Sequence, residues 1–586
     1  MRLRRNPLNI FVPRVVSSLR ATAGSRAIPA ARAQKLYELY KLYELYKLSK
    51  TFYYFCSRKN QAVMKYPIGT QTFSTIIEEN MVYVDKTDLV YDLAQKRICF
   101  LCRPRRFGKS LLISTLESYF KGKKELFKGL KIDELEKDWT QYPVFRLDFS
   151  NGNFGKREGL TNLISDYLLQ WEKQYGRESD VVELGRRFQN VIKKACEKTG
   201  HKAVVLIDEY DKPLLDVLME PMEAENRAVL KEFYGTFKAA DEHLRFVLLT
   251  GVTKFSQVSV FSGFNQPEDI SMDGGFDALC GITKDELVSY FDKEIEAMAE
   301  KFKYTKKEMY AELKKQYDGY HFSEEMLDIF NPYSVLNALK NKKTDEYWFA
   351  TGTPTYLVKL INRHKTNIKD IVSQQYEKSY FMDYKADTED PLAMIYQSGY
   401  LTIKDYERVG GTYFYTLDFP NVEVKKSFTA LLANDYFKMT NVQQPLALTI
   451  NKALMQGRID DLRDELSSFL ASIPYNANYQ ERAWSYESHY HYTFYLIFRL
   501  LSCYTTLTEK ANSRGRADMI VETNDYVYIF EFKLDGTAAE ALKQIDDKGY
   551  AEPYAADSRR LFKVGVGFSS EKKSINEWEV GLVFSF

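Results

Sequence analysis

The larger part of the sequence predicts an α/β fold, a parallel sheet with helices on both faces. Three observations predict it. Four short runs have the length and apolar content of strands: RICFLC (97–102), YPVFRLDFS (142–150), AVVLIDEYD (203–211) and RFVLLTGVTKFS (245–256). Stretches with helical spacing of leucines and aromatics, 110–120, 159–175 and 181–199, alternate with them. The third run is apolar until it ends in acids, the pattern of a strand buried on both faces.

The bulk numbers fit a multidomain globular chain of 586 residues, 45% hydrophobic and 28% charged. No apolar run is long enough for a membrane span. Residues 1–63 carry 13 Lys/Arg against only Glu38 and Glu44, a local net of +11. With a total of +2, the rest of the chain is left at about −9. A general nucleic-acid binder is basic over its body, so any nucleic-acid contact here must use a local groove. The six cysteines are too scattered for a disulfide scaffold, and the lone Cys99-x-x-Cys102 pair reads as thiols in a buried strand. A reducing, cytoplasmic setting is expected.

The leader 1–63 stands apart. Its KLYELYKLYELYKL run repeats apolar residues every third position, which drifts around a helix and gives no stable face. The expectation is a disordered segment or a spurious leader with translation starting at Met64. Its Arg-rich, acid-poor start also fits a mitochondrial-type transit peptide. Five regions follow from texture: this leader, an α/β domain over 64–285, a helical lid over 286–375, a connector over 376–477, and a C-terminal α/β domain over 478–586. The lid region has breaks at DGYHF (318–322), NPYS (331–334) and TGTP (351–354). The C-terminal region reads as a helix, a hairpin, a second helix and a last strand.

The first chemical signal is RPRRFGKSLL (103–112). Strand, loop, Gly108-Lys109-Ser110, helix is the setting of a phosphate-binding loop. Backbone N–H groups at the helix start face an anion, with the helix dipole behind them. Lys109 reaches the outer phosphates and Ser110 holds Mg²⁺. The general pattern places glycine where this chain has Arg103, so Arg103-Pro104 must turn the chain another way. Arg105 and Arg106 add positive charge. Asp208 and Glu209 end the third strand, suited to holding Mg²⁺ and to polarising a water. Acids also simply end buried strands where water begins. Thr250, at the end of the fourth strand, is a candidate γ-phosphate sensor.

Four segments, YPIGTQTFSTIIEENMVYVDKT, RPRRFGKSLL, LIDEYDKPL and LLTGVTKFS, closely resemble the bacterial AAA-ATPase-like family, over roughly residues 65–285. In that family RPRRFGKS is the usual form of the loop. The resemblance implies a P-loop NTPase sheet, with Lys109, Ser110, Asp208 and Glu209 serving ATP and magnesium. The nucleotide-contacting set is then Arg105, Arg106, Phe107, Gly108, Lys109, Ser110, Leu111 and Thr250.

The second signal is GRADMIVETNDYVYIFEFKL (515–534). Two β-rich runs flank Asn524-Asp525, a pair suited to a two-residue hairpin turn. That turn sets Asp518 opposite Glu531, with Lys533 on the same face. Two carboxylates held so close repel unless a cation or proton lies between them. Mg²⁺ between them would activate water, and Lys533 would neutralise developing charge. Val527 and Ile529 share that face, so it is not uniformly wet. A solvated face with a weak ion pair is the ordinary alternative.

The Asp-x12-Glu-x-Lys spacing resembles the PD-(D/E)xK nuclease superfamily, which implies a restriction-endonuclease-like α/β domain. On that resemblance Glu487 is a further metal ligand, with His491 one turn on, and Gln544 a polar residue beside the site. Asp518, Glu531, Lys533, Gln544 and, at the other site, Glu209 form the catalytic expectation. Ser110, Asp208, Glu487, Asp518 and Glu531 form the metal expectation. The function expected is an ATP-driven protein with a nuclease-like module acting on nucleic acid, DNA in preference to RNA, with homo-oligomers open. The alternative is an ATP-driven signalling or scaffold switch whose C-terminal domain binds without cutting.

Overall fold

The computed structural model describes residues 64–178, 180–254, 267–349, 371–382, 391–437, 443–472, 506–508, 511–512, 515–572 and 574–583, with isolated positions between. Five strands form the first sheet: β1 (Ile98–Cys102), β2 (Val144–Asp148), β3 (Ala203–Asp208), β4 (Leu244–Gly251) and β5 (Glu268–Asp269). All pairings are parallel, in the order β2-β3-β4-β1-β5. The helices α1 (Lys109–Phe120), α2 (Gly159–Tyr175), α3 (Leu184–Thr199) and α4 (Met222–Ala239) alternate with these strands. On α3 the buried Phe188, Val191, Ile192 and Ala195 follow helical spacing and make one apolar stripe. The Phe188 ring lies 5.8 Å from Phe145 of β2 and 5.0 Å from Phe233 of α4, which ties strand to helices. In this order β4 lies between β1 and β3, so the ends of all three strands meet at one edge, where α/β sheets place ligands.

The region expected as a lid opens on a short antiparallel pair, β6 (Ile282–Thr283) with β7 (Ile329–Phe330). Helices α5 (Lys284–Phe302) and α6 (Lys306–Tyr317) lie between these strands, and α7 (Pro332–Asn341) follows. Thr283 with Glu286 and Thr305 with Glu308 form capping boxes, so each helix starts where its sequence directs. NPYS, expected as a break, is the start of α7: Asn331 caps the Ser334 N–H and Pro332 is the first helical residue. DGYHF does break the helix, with Asp318 ending α6. TGTP lies outside the described residues.

The connector holds a sheet of β8 (Gln374–Glu377), β9 (Thr402–Val409) and β10 (Thr412–Asp418), ordered β8-β10-β9. Helices α8 (Val422–Phe437), α9 (Gln443–Met455) and α10 (Ile459–Ser472) follow. The C-terminal sheet comprises β11 (Thr506–Thr508), β14 (Met519–Glu522), β15 (Tyr526–Leu534), β16 (Arg560–Ser569) and β17 (Ser574–Val583) in that order, with α11 (Ala538–Asp547) between β15 and β16. A separate small pair joins β12 (Ala511–Asn512) to β13 (Gly515–Arg516). The expected single last strand is two antiparallel strands, because the polar stretch after Ser569 turns the chain back.

One face of this sheet packs Ile520, Val527, Ile529 and Leu561 against Ile545 of α11. The other carries Tyr526, Tyr528, Phe530 and Phe562, with Tyr528 and Phe562 stacked at 5.1 Å. That aromatic face meets the connector, where Tyr528 Oη donates to the Leu454 carbonyl of α9 at 2.6 Å. A single hydrophobic core runs from β1–β4 through the connector to Phe530 and Val564. Residues 1–63, and most of the helix expected over 482–501 with Glu487 and His491, lie outside the described residues; Thr493, Leu496 and Ile497 are helical and buried. Among the described residues no helix is long and apolar enough to cross a membrane.

Candidate functional site

The phosphate loop leaves β1 at Cys102 and enters α1 at Lys109. Arg103 takes the place of the expected glycine, and its side chain points inward. It is 1% exposed and donates to the carbonyls of Cys102, Ser271 and Phe276, at 2.9, 2.8 and 3.2 Å. Its guanidinium lies 4.0 Å from the centre of the Phe322 ring. Burial lowers its pKa. Arg103 thus pins the loop to the 271–276 segment. The tight turns fall later, at Arg106 (φ 66°) and Gly108 (φ 100°), both in the left-handed region.

The loop carbonyls are largely engaged. Lys109 Nζ donates to Arg103 O and Pro104 O, at 2.8 and 3.0 Å. Trp348 Nε1 donates to Arg105 O at 2.9 Å, and Gly281 N to Phe107 O at 3.1 Å. With carbonyls drawn to these partners, the loop amides are the groups left to face an anion. Lys109 is a buried cation whose ammonium rests on two loop carbonyls, with Glu209 the acid nearest in charge.

A cavity of about 390 Å³ opens beside this loop. Arg105, Arg106, Gly108, Lys109, Ser110 and Leu111 line it from the loop side. Glu209 and Lys212 line it from the end of β3. The segment Pro67–Gln71 and, from the lid and connector, Tyr333, Trp348 and Tyr400 complete the wall. Phe107 and Thr250, both in the predicted set, do not line it. Phe107 stands in the core. Its ring is 1% exposed and packs edge-on against Tyr320 at 4.8 Å, so it anchors the loop in the core.

Asp208 and Thr250 lie one layer back from the cavity. Thr250 Oγ1 donates to Asp208 Oδ1 at 2.7 Å, and both residues are buried. Thr250 therefore orients Asp208 and does not line the cavity, unlike the expected phosphate sensor. Glu209 does reach the lining. It adopts φ 52°, and burial raises its pKa, opposed by the charge of Lys109. Asp211 locks the next turn, its Oδ2 accepting from Val252 N at 2.9 Å and Thr253 N at 2.6 Å.

The hairpin at the C-terminal site has the register that the Asn524-Asp525 turn predicts. Met519 pairs with Phe530 and Glu522 with Val527, which sets Asp518 opposite Glu531. The ladder ends at Met519, and the Asp518 side chain replaces the next rung, its Oδ2 accepting from Phe532 N at 2.9 Å. Glu531 Oε2 faces the Asp518 backbone N–H at 3.4 Å. Burial, and then the Asp518 charge, push Glu531 up to about 7, with Lys533 opposing. Lys533 Nζ lies 3.7 Å from Glu531 Oε1 and donates to Gln544 Oε1 at 2.6 Å. Gln544 Nε2 donates in turn to Glu531 Oε1, so the amide bridges acid and lysine.

Three features of these sites were missed in the sequence. Gly565 and Gly567 of β16 lie beside Glu531 and Lys533 in the parallel register. A Cβ on Gly565 would sit 2.2 Å from the Ala538 carbonyl, so glycine lets α11 come close enough for Gln544 to reach across. The alternation V-G-V-G-F was the available signal. Tyr550, buried after α11, lies beside Gln544. Trp348 carried no local signal at all. Among the described residues, no group of three or more acids, histidines or cysteines is placed to hold a metal ion. The expected third carboxylate, Glu487, lies outside them.

The engaged loop and its basic cavity lie at one end of a parallel sheet, as in P-loop folds, and the C-terminal hairpin carries two acids and a lysine, as in PD-(D/E)XK folds. The family comparisons agree with both. Residues 67–261 match the model described as a predicted AAA-ATPase, and residues 485–578 match that of the PD-(D/E)XK nuclease superfamily. The chain is 35% identical over 517 residues to a protein of Azotobacter chroococcum mcd 1 named "Uncharacterized protein in vnfD 5'region", covering 87% of this chain and 98% of that protein. The chain belongs to the family of that protein, and carries an AAA-ATPase-like domain and a PD-(D/E)XK nuclease-like domain.

Proposed function

We propose that this protein binds and hydrolyses ATP at the cavity beside Lys109, and that its C-terminal domain is a Mg²⁺-dependent nuclease. The observation that carries the first half is the buried Lys109, held by two carbonyls in a cavity lined also by Arg105, Arg106 and Lys212. Four cations facing Glu209 suit a polyanion. Lys109 and the loop amides bind and orient the phosphates, and Glu209, its pKa raised, accepts a proton from the attacking water. Asp208, fixed by Thr250, and Ser110 would hold magnesium at this site.

At the second site Asp518 and Glu531 form the donor set, two acids close enough to raise the pKa of one. Such a pair suits a divalent cation, which when bound supplies charge neutralisation and an activated water. Lys533, steadied by Gln544, keeps a positive charge beside the acids for a phosphodiester in reaction. The substrate is nucleic acid, DNA in preference to RNA on the pairing of domains alone. The four described cysteines are free, in keeping with a reducing, cytoplasmic setting.

A second reading has its own support. Glu531 Oε1 is already taken by Gln544 Nε2 and faced by Lys533 Nζ at 3.7 Å, which favours a C-terminal domain that binds nucleic acid without cutting it. One assay separates the readings: phosphate release and strand cleavage on DNA and RNA, each with and without ATP and Mg²⁺. Cleavage that requires Mg²⁺ and disappears in Asp518→Asn supports the nuclease. Binding without cleavage in the wild type supports the second reading. Absence of ATP binding by calorimetry removes the first half.

A further inference from the structure

Trp348 stands outside both family matches, yet it touches the phosphate loop. Its indole Nε1 donates to Arg105 O at 2.9 Å, and it is 5% exposed. Its ring lies 5.3 Å from that of Tyr400, and both residues line the cavity. Its backbone N–H donates at 2.7 Å to Oε1 of Glu423, in the first turn of α8. Glu423 is itself buried, and burial pushes its pKa up to about 7. A carboxyl kept in so unfavourable a place needs a reason beyond packing.

We propose that Trp348 is a positioning residue for the phosphate loop, anchored by Glu423, so that filling the loop is felt at α8. This rests on the ATP-binding reading above. The contacts form a short chain: the loop carbonyl at 105, the indole, the Trp348 backbone, the Glu423 carboxyl, and helix α8. Asn421, just before α8, caps it by accepting from Val424 N at 3.1 Å and also donates to Asp318 O at 2.9 Å, so the start of the helix is fixed to the lid. Beyond α8 the connector continues into α9, whose Leu454 carbonyl accepts from Tyr528 of the nuclease-like sheet. Fixing Arg105 O on the indole fixes the plane of the 105–106 peptide and so the direction of the amide that follows. A phosphate that draws on that amide tilts the same peptide and so loads the indole bond, and α8 is the next helix in line.

Amide hydrogen exchange on the full chain, with and without ATP and Mg²⁺, tests this. In the wild type, ATP is expected to slow exchange at 105–112 and also at 422–437. Trp348→Phe keeps a ring and loses the indole donor. It is expected to bind ATP about two- to tenfold more weakly, to keep the response at 105–112 when saturated, and to lose it at 422–437. Glu423→Gln retains an acceptor for the Trp348 N–H and is expected to keep both responses, whereas Glu423→Leu loses the second. The glutamate pair decides the matter if Trp348→Phe folds poorly. A saturated Trp348→Phe that still responds at 422–437, or a wild type that responds only at 105–112, overturns the coupling. A wild type silent at both segments removes the ATP-binding reading, and this inference with it.

Discussion

The cavity beside the phosphate loop and the acid pair on the C-terminal hairpin are assembled at very different ranges. The cavity draws on Pro67–Gln71, the loop, the end of β3, α7, Trp348 and Tyr400, stretches far apart in the chain. The acid pair, its lysine and Gln544 all come from residues 518–544, one hairpin and the helix after it. The first site can therefore be disturbed from the lid and the connector. The second depends on local register and on how closely one helix approaches one sheet.

Substitutions can break that contrast or sharpen it. Lys109→Ala is expected to lower ATP turnover by about 100-fold or more, read as phosphate release, while ATP-independent cleavage stays put. Asp518→Asn is expected to do the reverse, cutting Mg²⁺-dependent cleavage by about 100-fold and leaving phosphate release unchanged. A variant that lowers both activities alike would show that the two sites are one unit.

Gly565→Ala probes the helix approach. Its Cβ meets the Ala538 carbonyl, and relieving the clash is expected to cost about 1–3 kcal/mol, seen as a lower urea midpoint. Cleavage should fall as Gln544 withdraws, with phosphate release intact. Full cleavage in this variant would show that Gln544 is dispensable.

The pH dependence of metal binding follows from Glu531. Its pKa is raised from 4.5 to about 7, so the metal-free fold prefers the protonated acid and loses that preference as pH climbs through this window. Metal needs the carboxylate. Mg²⁺ affinity by calorimetry is expected to drop about tenfold per unit below pH 7 and to level off above it. A flat profile between pH 5 and 7 would remove Glu531 from the ligand set. The smallest effect is expected from Thr250→Val, which removes one donor to Asp208 Oδ1 and leaves the Glu209 N–H at 3.1 Å. Phosphate release should fall about three- to tenfold, with cleavage unaffected.

The sequence showed more of the second site than of the first. Asn524-Asp525 selects a two-residue turn, and a strand's period of two then places Asp518 opposite Glu531 without any reference to the rest of the chain. The part played by glycine at 565 and 567 is a close approach, which exists only once helix and sheet have met. In the phosphate loop, GKS before a helix was legible, but the role of Arg103 was not. Its side chain is turned inward by carbonyls at 271 and 276, which only the packed β5 edge brings near. Thr250 ends a strand beside the loop, the position that suggests a phosphate sensor. That its hydroxyl donates to Asp208 is set by the pairing of β3 with β4.

By itself, the sequence determined the alternation of strands and helices, the loop that opens α1, the helix starts set by Thr283, Thr305 and Asn331, and the register of the hairpin. Each depends on neighbours within a few residues, where backbone geometry and hydrophobic period act directly. Tertiary structure alone decided that Trp348 would meet Arg105, that Glu423 would be buried behind it, and that Gln544 would bridge Glu531 and Lys533. Such contacts join distant stretches of chain, and they form only where the burial of apolar surface brings those stretches together.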